Sequence, residues 1–238
     1  MTGRAVVAIV PAYDAGRTVG AVVTGLMSRL GSSPGDGSII VVDDGSRDTT
    51  SDVAGSAGAV VLRHDVNRGK GAALRTGLAH AASLGATMAV TVDADGQHLP
   101  EEAARLAGHE APVDALVLGV RDLVLAGAPK QNRFSNGISN FFLSRFTRRT
   151  LNDTQCGLRR YPVKETLALG ARDDGYAFEA ECVLRAARAG WRIVEVPVNV
   201  YYPPEHERVS HFHVVRDPAR IVYRVVATLA TTRVQASR

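Results

Sequence analysis

Short apolar runs alternate with helix-length segments along the first half of the chain, and most of the runs end in a polar or glycine-rich turn. That alternation is the pattern of βα units, which close into a largely parallel sheet because each crossover helix must cover a sheet face. Strands are predicted at Ala5 to Val10, Ser38 to Val42, Ala59 to Arg63, Thr87 to Val92 and Ala115 to Gly119. Between them lie helices from Thr18 to Leu30, after an Asp48 cap, from Arg68 to Leu84, and from Pro100. Pro100 suits a first helical position, and Glu101 and Glu102 suit the positive end of its dipole. In open α/β sheets ligands bind beyond the carboxyl ends of the strands. Residues Pro11 to Asp14, Asp43 to Ser46, His64 to Gly71 and Asp93 to Gln97 should therefore meet on one edge.

The second half reads as a helix at Asn132 to Arg149, a short strand at Cys156 to Arg160, a helix at Phe178 to Ala189 and a strand at Trp191 to Tyr201 interrupted by Pro197. No repeat, low-complexity tract or linker divides the chain, so one domain is expected: residues 1–213 as its body and 214–238 as an amphipathic C-terminal helix of the same unit. Two distant cysteines exclude a disulfide framework and point to a reducing compartment. No apolar stretch reaches the ~20 residues of a membrane span, which predicts a cytoplasmic protein, soluble or peripheral on the membrane face. The formal charge of +4 suits an anionic partner. Nucleic acid is disfavoured, because no zinc-finger spacing, aromatic RNA-binding signature or long basic run is present.

Asp93 and Asp95 stand one residue apart at a strand end, with Gln97 two further on. Three oxygen-bearing side chains so placed suit Mg²⁺ or Mn²⁺, although a solvated turn has the same composition. Asp43 or Asp44, entering the turn Gly45-Ser46, can accept hydrogen bonds from a base or ribose, and the same residues also make an ordinary turn. Asn67-Arg68-Gly69-Lys70-Gly71 precedes a helix, where backbone amides can hold phosphate. It is neither a Walker A loop nor a full Gly-x-Gly-x-x-Gly, since Leu74 takes the third glycine position.

Taken in order, Pro11-Ala12-Tyr13, Val41 to Asp48, Asn67 to Gly77 and Val92 to His98 resemble the family 2 glycosyltransferases of GT-A fold. Asn152 to Arg159, Phe178 to Glu181 and Ile193 to Val198 resemble the dolichyl-phosphate mannose synthase and polyprenyl-phosphate glycosyltransferase branch. The resemblance implies a Rossmann-like, mostly parallel sheet with helices on both faces. It implies that Pro11, Tyr13, Asp14, Asp43, Lys70, Ala94 and Arg208 hold the donor nucleotide and diphosphate with Asp93 and Asp95. It implies a divalent ion on Asp93, Asp95 and Gln97, and phosphate groups of donor or acceptor on Arg121 and Arg133. Asp14-Ala15-Gly16 departs from the branch's usual sequence after Pro-x-Tyr, so guanosine and uridine both stay open.

The implied reaction moves a hexose, with inversion, from a GDP- or UDP-sugar to a polyprenyl or dolichyl phosphate. A hydroxyl acceptor on a glycan, lipid or natural product is the second reading, and it requires a general base, for which Asp153 and Glu181 are the better candidates and Glu179 another. A non-catalytic nucleotide-binding module is the third. Glu205, His206, Glu207, His211 and His213 lack a zinc spacing and read instead as a flap with Arg208. Arg216, Arg220 and Arg224 fall on one helix face, for membrane docking, a solvated face or a homodimer contact. Phe141, Phe142 and Phe146 beside Arg145, Arg148 and Arg149 make either a lipid-tail entry or core.

Overall fold

The computed structural model describes residues 6–30, 38–202, 220 and 223–228. The expectations for Glu205 to His213, Arg208 among them, and for Arg216 lie outside these residues. The elements run β1 (Val6–Ala12), α1 (Val19–Leu30), β2 (Ile39–Asp43), α2 (Thr50–Ser56), β3 (Val60–Arg63), α3 (Lys70–Ser83), β4 (Met88–Thr91), α4 (Pro100–Ala107), β5 (Leu116–Arg121), α5 (Lys130–Thr147), β6 (Arg159–Pro162), α6 (Val163–Ala168), α7 (Ala177–Arg188) and β7 (Ile193–Val198).

These strands make one sheet in the order β3-β2-β1-β4-β6-β5-β7. β1 pairs in parallel with β2 and β4, β2 with β3, and β5 with β7, while β6 runs antiparallel between β4 and β5. The central strands are apolar on both faces because helices cover both. Alternate residues of β1 accordingly enter different cores: Val7 and Ile9 join Leu74, Leu78, Phe178 and Val183 on one face, and Ala8 and Val10 join Val22, Leu26 and Leu106 on the other. Each such large aliphatic side chain contributes about 1.5–3 kcal/mol on burial. Gly77 lets α3 lie close on β1, since a Cβ there would meet Ile9 Cγ2 at 2.5 Å.

All five strands expected in the first half are present to within two residues at either end. Pro197 is tolerated inside β7 because β7 is an edge strand, where a missing N–H need not break a ladder. The strand expected at Cys156 to Arg160 begins later, at Arg159. Cys156 and Leu158 are buried, but they belong to a turn that closes on the end of β4, where the Thr91 hydroxyl donates to the Gly157 carbonyl at 2.7 Å. Helix α6 was not expected; it is six residues long and follows directly on Pro162. Residues 223–228 are helical and pack onto the domain, with Val225 in the core. Among the described residues no helix is long and apolar enough to cross a membrane.

Candidate active site

The carboxyl ends of β1, β2, β4 and β5 open into a cavity of about 480 Å³. Pro11 near the end of β1 and Tyr13 just after it line the cavity, with Asp44 after β2, Asp93, Ala94, Asp95 and Gln97 after β4, and Arg121 at the end of β5. Asn132 of α5, Glu179 of α7 and a wall from Asp173 to Ala177 complete much of the rest.

Asp93 is held from three sides. Lys70 Nζ lies 2.7 Å from its Oδ1 and 3.1 Å from Glu179 Oε2, and His98 Nε2 lies 3.7 Å from its Oδ2. A Cβ on Gly157 would stand 2.2 Å from Asp93 Oδ2, so only glycine lets the carboxylate sit there. Burial by itself would raise the Asp93 pKa, but the Lys70 ammonium and His98 outweigh it and hold the carboxyl far below its usual range. Burial would likewise discharge Lys70, and the charges of Asp93 and Glu179 reverse that, raising its pKa.

Asp95 is in the opposite condition. Burial and the neighbouring charge of Asp93 raise its pKa, and it accepts a hydrogen bond from the Gln97 amide at 2.9 Å. The carboxylate faces the cavity with no cation paired to it among the described residues. A half-buried carboxylate in need of positive charge, next to the carboxamide of Gln97, offers hard oxygen donors of the kind Mg²⁺ and Mn²⁺ take. Among the described residues no cluster of three His, Cys, Asp or Glu side chains forms a protein-only cage. Asp93, grouped with these two on sequence, is turned to Lys70 and His98 instead. The Gln97 carbonyl accepts from the Tyr201 amide at 2.9 Å, which ties this segment to the stretch after β7 that carries Tyr202 into the cavity wall.

Several expected roles need correction. Asp43 is fully buried and does not line the cavity; it accepts from the Ser46 amide at 2.8 Å, the Ser51 hydroxyl, and Arg63 at 2.8 Å. Asp44 lines the cavity, yet its oxygens accept from the amides of Arg68 (3.0 Å) and Gly69 (2.6 Å) and from His64 Nδ1 (2.6 Å). The loop from Asn67 to Gly71 thus spends two of its amides on Asp44 and cannot cradle phosphate with them. Asp14, with φ of 46°, accepts from the Arg47 amide at 2.7 Å and stitches two loops together outside the lining. Glu181 is fully buried and outside the lining; it grips Arg185 at 2.7 Å and the amides of Arg172 and Asp173 at 3.0 Å each. It therefore shapes the cavity wall and is not available as a base.

Asp153 is also fully buried, with both oxygens on Arg121: 2.7 Å from Nε, 3.0 Å from Nη2, and 3.1 Å from the backbone amide. Burial would lower the Arg121 pKa, and the Asp153 charge instead raises it. Arg121 is a cavity cation in fixed orientation. Arg133 sits one residue beyond Asn132 on α5 and is not itself part of the lining. Arg220 lines the cavity, and Arg224 Nε pairs with Asp173 Oδ2 at 2.9 Å, so two arginines expected on a docking face are turned to the site.

The sequence model of the family described as "Glycosyl transferase family 2" matches residues 7–164, which span β1 to the start of α6 and include the whole Asp93 to Gln97 segment. The chain belongs to that family. It is 27% identical, over 231 residues, to a UDP-N-acetylglucosamine–dolichyl-phosphate N-acetylglucosaminyltransferase of Methanococcus voltae, covering 85% of this chain and 88% of the relative. It is 29% identical, over 184 residues, to an undecaprenyl-phosphate mannosyltransferase of Micrococcus luteus, covering 73% and 75%. Among solved structures, the glucosyl-3-phosphoglycerate synthase of Mycobacterium tuberculosis, in complex with Mn²⁺, UDP and phosphoglyceric acid, superposes with a TM-score of 0.70. That match has 22% identity and covers 96% of this chain and 78% of that one. The fold of this family 2 glycosyltransferase is accordingly GT-A.

Proposed function

We propose that this glycosyltransferase moves a hexose, with inversion, from a nucleotide-diphosphate sugar to the phosphate of a polyprenyl or dolichyl lipid. The relatives that act on dolichyl and undecaprenyl phosphate support the acceptor class. One observation carries the choice between acceptors: among the described residues, every carboxylate lining the cavity except Asp95 is already paired. Asp93 and Glu179 are paired with Lys70, Asp44 with His64 and two amides, Asp173 with Arg224, and Asp174 with Arg75. A hydroxyl acceptor requires a base to take its proton, and an ion-paired carboxylate is a poor one. A phosphate monoester is already anionic and needs only to be positioned, which Arg121 and Arg220 can do from the cavity wall.

In this reading the donor's diphosphate lies against Asp95 and Gln97, with Pro11 and Tyr13 beside the nucleoside. Asp95 and Gln97 would hold Mg²⁺ or Mn²⁺, which would supply positive charge against the leaving diphosphate, worth several kcal/mol. An acceptor phosphate oxygen displaces the diphosphate at the anomeric carbon. The new C–O bond forms as the old one breaks, and the nucleoside diphosphate departs with the electron pair. Arg121 is pre-aimed by Asp153, so it reorients little as the acceptor phosphate arrives.

The test incubates the protein with labelled GDP- and UDP-hexoses, Mn²⁺, and either polyprenyl phosphate or 3-phosphoglycerate. Labelled sugar entering the organic phase is the expected result. Transfer to phosphoglycerate with none to the lipid would replace this reading by the hydroxyl-acceptor one.

A further inference from the structure

Helix α5 is built inside out for a helix in water. Its buried residues are Ser135, Asn136, Ser139 and Leu143, three of them polar. Its outer face carries Phe134, 73% exposed, and Phe141, 66% exposed, seven residues apart and so nearly in line along the helix. Arg145 continues the same line one turn on, and Arg148 in a left-handed turn and Arg149 follow it, all three exposed. A water-facing helix places charge outside and apolar side chains inside. Here the small polar side chains are used internally, where Ser135 Oγ bonds Gln155 Nε2 at 3.0 Å and Ser139 bonds Thr154 at 2.8 Å. The rings of Phe134 and Phe141 are left outside.

The loop before α5 extends the patch, with Val124 71% and Leu125 84% exposed. None of Arg145, Arg148 and Arg149 has a carboxylate partner among the described residues, and they surround an open hollow with Phe141 and Ser144. Phe142 and Phe146 face inward far enough to be half-buried, so Phe141 alone of the three is turned fully to solvent. One end of the patch borders the catalytic cavity: Leu123, directly before Val124, and Asn132, two residues before Phe134, both line it.

We infer that the outer face of α5, with the Val124-Leu125 loop, docks on an anionic lipid surface. Exposed aromatic and aliphatic side chains beside unpaired arginines match the layered chemistry of such a surface, apolar below and negative above. The inference deepens the lipid-phosphate reading, because docking by this face brings the cavity between Leu123 and Asn132 to the membrane. It also moves docking away from the terminal helix, whose Arg220 and Arg224 serve the site.

The test is sedimentation of the protein with vesicles of phosphatidylglycerol and phosphatidylcholine in equal parts, against phosphatidylcholine alone, with neither polyprenyl phosphate nor donor present. Binding to the mixed vesicles only, weakened by added salt, is expected. Arg145→Gln/Arg148→Gln/Arg149→Gln should reduce it on the order of 100-fold, at about a factor of five per cation. Phe134→Ser/Phe141→Ser should reduce it too, with the thermal melting curve unchanged because both rings are exposed. Binding that neither variant weakens would overturn the inference, as would a wild-type dimer in solution that Phe134→Ser/Phe141→Ser dissociates. Sugar transfer to lipid phosphate in detergent without vesicle binding would sink the docking face and leave the proposed function. Vesicle binding without lipid glycosylation would do the reverse.

Discussion

Lys70 Nζ lies 2.7 Å from Asp93 Oδ1 and bridges it to Glu179, so one lysine at the start of α3 holds the end of β4 against the first turn of α7. Three segments distant in sequence meet through a single ammonium group. Removing it leaves Asp93 only His98 and leaves Glu179 only Arg159, each at 3.7 Å, and breaking a buried pair costs up to about 3–5 kcal/mol. Lys70→Met should therefore lose most of that amount in urea unfolding of the metal-free protein. An unfolding midpoint equal to wild type would show that Asp93 and Glu179 find other compensation.

Asp95 should behave in the opposite sense. Its pKa is raised by burial and by Asp93, so the folded state holds its proton more tightly than the unfolded chain does. For an acid so shifted, the metal-free protein loses stability as pH rises from the unfolded value of about 3.8 through the folded pKa. Asp95→Asn removes this penalty and should melt above wild type at neutral pH without metal, with the gap closing towards acid. With Mn²⁺ and donor the order should reverse, and transfer should fall on the order of 10²–10³-fold, as the loss of several kcal/mol at the diphosphate requires. A metal-dependent donor affinity that survives Asp95→Asn would place the ion elsewhere.

Gly157 presses its Cα side against Asp93, and a Cβ would lie 2.2 Å from Oδ2. Gly157→Ala must push the carboxylate aside or shift the turn. The expected outcome is a protein that still folds, with its urea midpoint lowered and sugar transfer reduced at least tenfold. Unchanged transfer would mean that the Asp93 position has slack that the packing does not suggest.

Much of the fold was legible because burial follows the period of each element: the βα alternation located the first five strands, and Pro100 located the start of α4. The convergence of Pro11, Asp44, Asp93 and Asp95 on one edge follows from parallel order alone. What sequence could not decide was which of two near neighbours turns inward to the site. Asp43 and Asp44 are adjacent at the end of a strand, so they point to opposite sides, and only Asp44 reaches the cavity. Glu179 and Glu181 are two apart on a helix, about 200° around it, and Glu179 reaches the cavity. The wall from Asp173 to Tyr176 carried a faint signal, since Asp173-Asp174-Gly175 repeats the carboxylate-glycine make-up of Asp43-Asp44-Gly45. Its placement depends on Glu181 and Arg75, contacts that no local pattern encodes.

The buried thiols give a check on the packing around the site. Burial pushes Cys156 up to about 12, and it pushes Cys182 up as well. The thiolate is the reactive form, so at pH 8 both should resist a disulfide reagent in the native protein and react at once in denaturant. Rapid native labelling of one thiol would mean that the turn at Cys156 or the inner face of α7 opens readily.

Asp153 separates the two acceptor chemistries. A general base there would have to give up Arg121 before it could take a proton, and both of its oxygens are committed to that guanidinium in a fully buried setting. If its work is to aim Arg121, Asp153→Asn keeps the shape but turns one charge-assisted bond into a clash of two donors. Arg121 then sits loosely. The expected result is a KM for lipid phosphate raised about tenfold or more, a kcat within about tenfold of wild type, and a pH–rate profile of unchanged shape, because no catalytic proton has been removed. Donor binding, which the proposed function assigns to Asp95 and Gln97, should be unaffected. Complete loss of turnover together with loss of the basic limb of the profile would make Asp153 the base after all, and would return the acceptor to the hydroxyl class.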